Sequence, residues 1–247
     1  MTRVCVIQTD NRPTLDYLLK SQEVNKMFCE FFHYDYLFIE IDNASKFVNK
    51  QYEKIYVVNS LLQKEEYDVL VFLDSDAWIQ NGFWLNDIID NLLNDEKTHG
   101  CFSRDPYLKH NTYINSGSFI IKCNIFTKNM YNTVINQLQT DLNNNNNDDK
   151  LVREKNAGWC DQYYISRYVF ENKDKFIVFV PEILNTPVGK ILKHNWCKNK
   201  KMYDDLNETI LKKQDYLTSN NVSFNIKEYL DCAEFPTIIN AEYDYLI

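Results

Sequence analysis

Asp74-Ser75-Asp76 follows directly on the apolar run Val-Leu-Val-Phe-Leu at residues 69–73. In an extended segment, residues i and i+2 point to the same side, so both carboxylates can converge on one cation. Two hard oxygen ligands suit Mn²⁺ or Mg²⁺. Their place adds to their chemistry, because open α/β sheets take ligands at the carboxyl ends of their strands. An ordinary strand-end turn also accepts Asp-x-Asp, so the pair alone leaves both readings open. Thr9-Asp10-Asn11 stands in the same kind of place, after the apolar run at residues 3–8.

Such residues need a sheet to hold them, and the chain supplies the pattern of one. Apolar runs at residues 3–8, 36–41, 69–73, 117–121 and 176–180 read as strands. Between them, amphipathic stretches at about 14–32, 51–64, 84–93, 125–142 and 161–170 read as helices; in the first, Leu15, Leu18, Leu19, Met27, Phe28 and Phe31 keep roughly helical spacing. The alternation predicts an α/β fold with a Rossmann-like, mainly parallel central sheet flanked by helices. Residues 143–149 (NNNNNDD) read as a solvated low-complexity loop. A polar helix is expected at 204–217, before an aromatic, acidic tail.

The 247 residues are 45% hydrophobic and 15% aromatic, the balance of a folded chain. A formal charge of −8 argues against a general nucleic-acid binder. It also means that a polyanionic substrate needs local positive charge, which a divalent metal supplies. No apolar run approaches the ~20 residues that span a bilayer, and the start of the chain has no hydrophobic signal region; the expectation is a cytoplasmic protein. The 7 cysteines form no CxxC pair and read as reduced thiols. With 5 glycines and 4 scattered histidines there is no GxGxxG fingerprint, P-loop or HExxH site, and no GxSxG elbow is present.

The segment VLVFLDSDAW resembles the Asp-x-Asp segment of GT-A glycosyltransferases, especially the retaining galactosyl-, mannosyl- and xylosyltransferases of fungi and plants. Further segments follow in the same order. Asn115-Ser116-Gly117-Ser118-Phe119 resembles the family's Asn-x-Gly-Ser-Phe strand, which lines the sugar pocket. Asp161-Gln162 resembles its Asp-Gln pair beside the reacting carbon, and Lys193-His194 with Trp196-Cys197 its late histidine segment. The resemblance spans roughly residues 2–200 and departs from the family at Cys197, where a glycine is frequent.

The resemblance implies a GT-A domain over residues 1–200, with 201–247 as a helical or irregular extension packed on it. It implies a nucleotide-diphosphate sugar of UDP or GDP type as donor, a sugar or glycan as acceptor, and Mn²⁺ or Mg²⁺ held by Asp74, Asp76 and His194. Asp161 and Gln162 would be catalytic, with Gln162 stabilising a cationic sugar in a retaining reaction. Thr9, Asp10, Asn11 and Ser75 would meet the nucleoside, and Asn115, Ser116 and Gly117 the sugar. Lys54 resembles a family lysine near the donor, and Lys198 and Lys200 are candidates to face the diphosphate. Asp161 could also be a helix N-cap and Asn115 a turn former. A nucleotidyltransferase of similar fold and a non-catalytic sugar- or partner-binding domain are the alternatives. The first usually carries a glycine-rich loop near its N-terminus, and residues 3–13 contain no glycine.

Overall fold

The structure is a computed structural model that describes residues 2–106, 113–156, 158–196 and 200–212. Strand β1 (Val4–Asp10), buried along its whole length, lies between β2 (Asp35–Glu40) and β3 (Val69–Leu73), both parallel to it. Beyond β3 come β6 (Ile114–Lys122), β5 (Gly100–Arg104) and β7 (Phe176–Phe179), giving the order β2-β1-β3-β6-β5-β7. β6 is antiparallel to both β3 and β5, while β7 is parallel to β5, so β6 alone opposes the other strands. The sheet is therefore mainly parallel, as its apolar runs predict.

The period of two along a strand divides the core into two layers. Val4, Val6, Val69, Val71 and Leu73 face helices α1 (Asp16–Phe32), α3 (Gly82–Asn94) and α8 (Lys200–Leu211). Cys5, Ile7, Leu70 and Phe72 face α2 (Glu53–Lys64), α4 (Ile125–Asn144) and α6 (Asp161–Glu171). Coverage on both faces explains why β1 and β3 read as unbroken apolar runs. Each large side chain buried this way contributes about 1.5–3 kcal/mol. Helix ends are fixed locally: Asn81 accepts from Trp84 N at the start of α3, and Asn124 and Thr127 form a capping box on α4.

Two short strands escape the sequence pattern. β4 (Ala77–Ile79) and β8 (Leu192–His194) form a separate antiparallel pair in which Ala77 lies opposite His194. Helices α5 (Asp149–Lys155) and α7 (Pro181–Leu184) are also additions.

The loop expected at residues 143–149 is instead a built turn. α4 runs on to Asn144, and Asn146 and Asn147 take positive φ of 54° and 60°, a conformation that asparagine tolerates better than most residues. Asp148 then caps α5 by accepting from the amides of Lys150 and Leu151. Asp149 is buried, its carboxylate accepting from Asn49 N (2.7 Å) and Asn49 Nδ2 (2.9 Å). The helix expected at 204–217 begins earlier, at Lys200, because Met202 and Leu206 bury against the α1 layer; residues from 213 onward lie outside the described residues. No helix among the described residues is long and apolar enough to cross a membrane.

Candidate active site

Asp74 leaves the end of β3 with its amide donating to Gly117 O (2.7 Å) and its carbonyl accepting from Ala77 N (2.9 Å). That turn delivers Asp76 to the start of β4. Pairing of β4 with β8 then brings in His194, whose amide donates to Thr186 O (3.1 Å), while Asn195 N donates to Asp76 O (2.9 Å). His194 Nε2 ends 3.3 Å from Asp76 Oδ1 and 3.7 Å from Asp74 Oδ2. One ligand atom from each of the three residues lies within 4.8 Å of the others. Gly117 makes the approach possible, since a Cβ there would run into Cε1 and Nδ1 of the His194 ring.

This donor set fits a divalent cation, with two hard carboxylates and an imidazole nitrogen facing them. The electrostatics point the same way. Burial pushes the Asp74 carboxyl up against the opposing pull of Lys54 and His194. About a third of that side chain is open to the cleft, so water moderates the effect. For His194, burial favours the neutral ring, but Asp76 and Asp74 outweigh it and raise its pKa above the usual value. Both acidic groups thus favour a cation between them, whether proton or metal.

Beside this trio stands a buried lysine. Lys54 Nζ, carried by α2, reaches Asp74 Oδ1 (2.8 Å), Asp161 Oδ2 (2.9 Å) and Ser116 O (3.0 Å). Burial opposes its charge, yet Asp161 and Asp74 hold its pKa above the ordinary lysine value. Asp161 opens α6 but does not cap it: its Oδ2 also accepts from Ser116 Oγ (2.7 Å). Asn115 sits within β6, where its Oδ1 accepts from Gly117 N (2.8 Å). The amide of Gln162 is oriented by Asp105, which accepts from its Nε2. That leaves Gln162 Oε1 facing Ser116 N at 3.4 Å.

Beneath the aspartates lies a polar network that sequence reasoning missed. Gln8 Nε2 donates to the carbonyls of Asp74 (3.0 Å) and Ala77 (3.1 Å). Its Oε1 accepts from Asn25 Nδ2 (3.0 Å) and Tyr36 OH (2.7 Å). Asn25 Oδ1 receives Ile79 N (2.8 Å), and Ser21 Oγ donates to Ser75 O (3.0 Å). Gln8, Ser21 and Asn25 are fully buried, so these bonds fix the turn in a water-free setting.

Two cavities meet at this point. The larger, of about 600 Å³, is walled by Thr9, Asp10, Asn11, Ser75 and Asp76. The smaller, of about 380 Å³, is walled by Asn115, Ser116, Asp161, Gln162, Asp105 and Trp159. Gln51, Lys54, Asp74, Arg153, His194 and Trp196 line both. Asp10 is already paired with Arg12, whose Nε and Nη2 each lie 2.9 Å from its carboxylate oxygens. Cys160 also lines the smaller cavity, and burial pushes its thiol up to about 12, which disfavours the nucleophilic thiolate.

The structure therefore brings nearly all the candidate residues to one cleft. Among the described candidates two line neither cavity: Gly117, which packs against the His194 ring, and Lys200, exposed at the start of α8. Lys198, Cys197 and Cys232 lie outside the described residues. Asp105, Gln51 and Arg153 escaped notice because no motif marks them. Trp196 sat unassigned inside the late histidine segment.

No family model matches the chain, and no curated protein matches it in sequence. Solved structures do. A glycosyltransferase involved in the glycosylation of the major capsid of PBCV-1 superimposes with a TM-score of 0.61 at 14% identity, over 83% of this chain and 99% of that one. Mouse xyloside xylosyltransferase 1, in its apo form, aligns with a TM-score of 0.49 at 10% identity, over 79% of this chain and 98% of that one. In fold, the chain is similar to the first of these over nearly that protein's whole length, and its architecture is GT-A-like.

Proposed function

We propose that the protein is a metal-dependent glycosyltransferase that moves a hexose or pentose from a nucleoside diphosphate sugar to a sugar or glycan hydroxyl. The observation that carries this reading is the Asp74, Asp76 and His194 cluster at the junction of two cavities. Its place at the carboxyl end of β3 is where an open α/β sheet takes its ligand. These residues would hold a Mn²⁺ or Mg²⁺ ion, which would supply Lewis-acid stabilisation for the charge on the leaving diphosphate. In the larger cavity, Thr9, Asp10, Asn11 and Ser75 receive the nucleoside. Asn115 and Ser116 in the smaller one receive the sugar, with Gly117 holding the strand close to His194.

In the reaction, the bond between the anomeric carbon and the phosphate oxygen breaks, and its electron pair leaves with the phosphate. The acceptor hydroxyl oxygen bonds to the same face of that carbon, and its proton passes to the departing phosphate oxygen. Gln162, oriented by Asp105, offers an amide oxygen to the cationic sugar. A neutral amide is a poor nucleophile. Asp161 is engaged by Lys54 and Ser116 Oγ, contacts that compete with service as a base. The first feature favours a front-face path over a covalent intermediate, and the second argues against an inverting base.

The test is a panel of UDP- and GDP-sugars with Mn²⁺, scored by nucleoside diphosphate release and by the anomeric proton coupling of the product. We expect release from at least one donor, its loss in EDTA, and a retained configuration. Absence of release from every donor would overturn the reading. An inverted product would transfer the role of base to Asp161.

A further inference from the structure

The junction of the cavities is rich in carboxylates, and its cations are nearly all committed. Arg12 pairs with Asp10, and Lys54 is taken up by Asp74, Asp161 and Ser116 O. Lys50 Nζ donates to the carbonyls of Asn43 (2.9 Å) and Ser45 (3.2 Å). Arg153 differs from these. Among the described residues it has no carboxylate partner: its Nε donates to Gly158 O (2.7 Å) and its Nη1 to Asn49 Oδ1 (2.9 Å). Both acceptors are neutral, and Nη2 donates to neither. The side chain is aimed all the same. Gly158 turns its carbonyl toward Nε from a φ of +89°, a conformation natural to glycine, and Asn49 is itself locked by Asp149.

We propose that Arg153 is a diphosphate-binding residue, taking the phosphate that departs from the sugar. This rests on the glycosyltransferase reading of the same cleft. If the larger cavity holds the nucleoside and the smaller one the sugar, the diphosphate must lie where they join, and Arg153 lines both. Charge supports the same ligand. A nucleoside diphosphate gains a negative charge when the glycosidic bond breaks, and a planar guanidinium can donate two hydrogen bonds to it. Arg153 is carried by α5, which follows directly on the asparagine-rich turn and is capped by Asp148. That gives this turn a part in substrate binding, whereas Lys200 lines neither cavity.

Calorimetric titration of UDP, GDP and the two nucleosides into wild-type protein, Arg153→Gln and Arg153→Lys, with Mn²⁺ present, tests the assignment. Arg153→Gln should weaken nucleoside diphosphate binding about 10–100-fold, the scale for losing a charge-assisted hydrogen bond. Nucleoside affinity, Mn²⁺ affinity and melting temperature should stay within error, and Arg153→Lys should recover part of the loss. Unchanged diphosphate affinity in Arg153→Gln would overturn the inference while leaving the glycosyltransferase reading intact. So would an equal loss for nucleoside and diphosphate, which marks a role in shaping the cleft. A wild-type protein that binds neither diphosphate would overturn both.

Discussion

Gly117 shows how much one side chain's absence can carry. The His194 ring occupies the space a Cβ would need, and the ring is carried by β8, which is paired with β4. Gly117→Ala should therefore push the imidazole away from Asp74 and Asp76 and weaken Mn²⁺ binding at least about 10-fold, as expected when a ligand is misplaced. Mn²⁺ titration followed by electron paramagnetic resonance measures it, and wild-type affinity in the variant would show that His194 is not a ligand. At this scale the sequence is legible where chemistry and local pattern coincide. Asp74 and Asp76 stand out because they end an apolar strand, and Asp161 and Gln162 because they form a familiar pair. Lys54 is harder to see: a lysine on an amphipathic helix is ordinarily solvated, and only folding shows it buried between two aspartates. Arg153 gives no local signal at all.

The elements divide in the same way between those that position the site and those that only stabilise the fold. Asn25 on α1 holds Ile79 N and Gln8, and through Gln8 the carbonyls around Asp74. Asn81 caps α3, away from the cleft. Asn25→Ala should cost about 1–3 kcal/mol by leaving buried polar groups unpaired, and should also weaken Mn²⁺ binding because the turn loosens. Asn81→Ala should cost about 0.5–2 kcal/mol as a lost cap and leave Mn²⁺ binding unchanged. Urea denaturation with parallel Mn²⁺ titration separates the two, and equal Mn²⁺ affinity in both variants would remove the network's positioning role. Long elements such as β1, β3 and α4 are readable because their apolar residues repeat over many positions. β4 and β8 are not, since a strand from Ala77 to Ile79 exists only through pairing with Leu192 to His194, far along the chain. The asparagine-rich run misleads for a related reason. Composition describes a solvated loop, whereas its structure comes from caps and left-handed residues that composition does not encode.

The whole molecule carries a formal charge of −8 and turns several carboxylates into one cleft. An acidic protein that binds a diphosphate there must bring cations to the same place, and the fold offers Lys54, Arg153 and the proposed cation site of Asp74, Asp76 and His194. The α/β sheet was readable from alternating apolar runs and its GT-A character from the resemblance of the motifs, and the likeness to a solved glycosyltransferase extends over 83% of the chain at only 14% identity. What the runs could not reveal is the division of the cleft into two cavities, because its walls come from β1, α2, β6, α5, α6 and β8 together. The central claim is that metal and diphosphate meet where these cavities join. Anomalous diffraction at the manganese edge, from crystals grown with Mn²⁺ and the nucleoside diphosphate the protein binds, tests it most directly. The account predicts one anomalous peak within about 2.0–2.6 Å of Asp74, Asp76 and His194 ligand atoms, with phosphate oxygens completing its coordination. A peak elsewhere in the molecule, or a bound nucleotide whose phosphates point away from these residues, would contradict it.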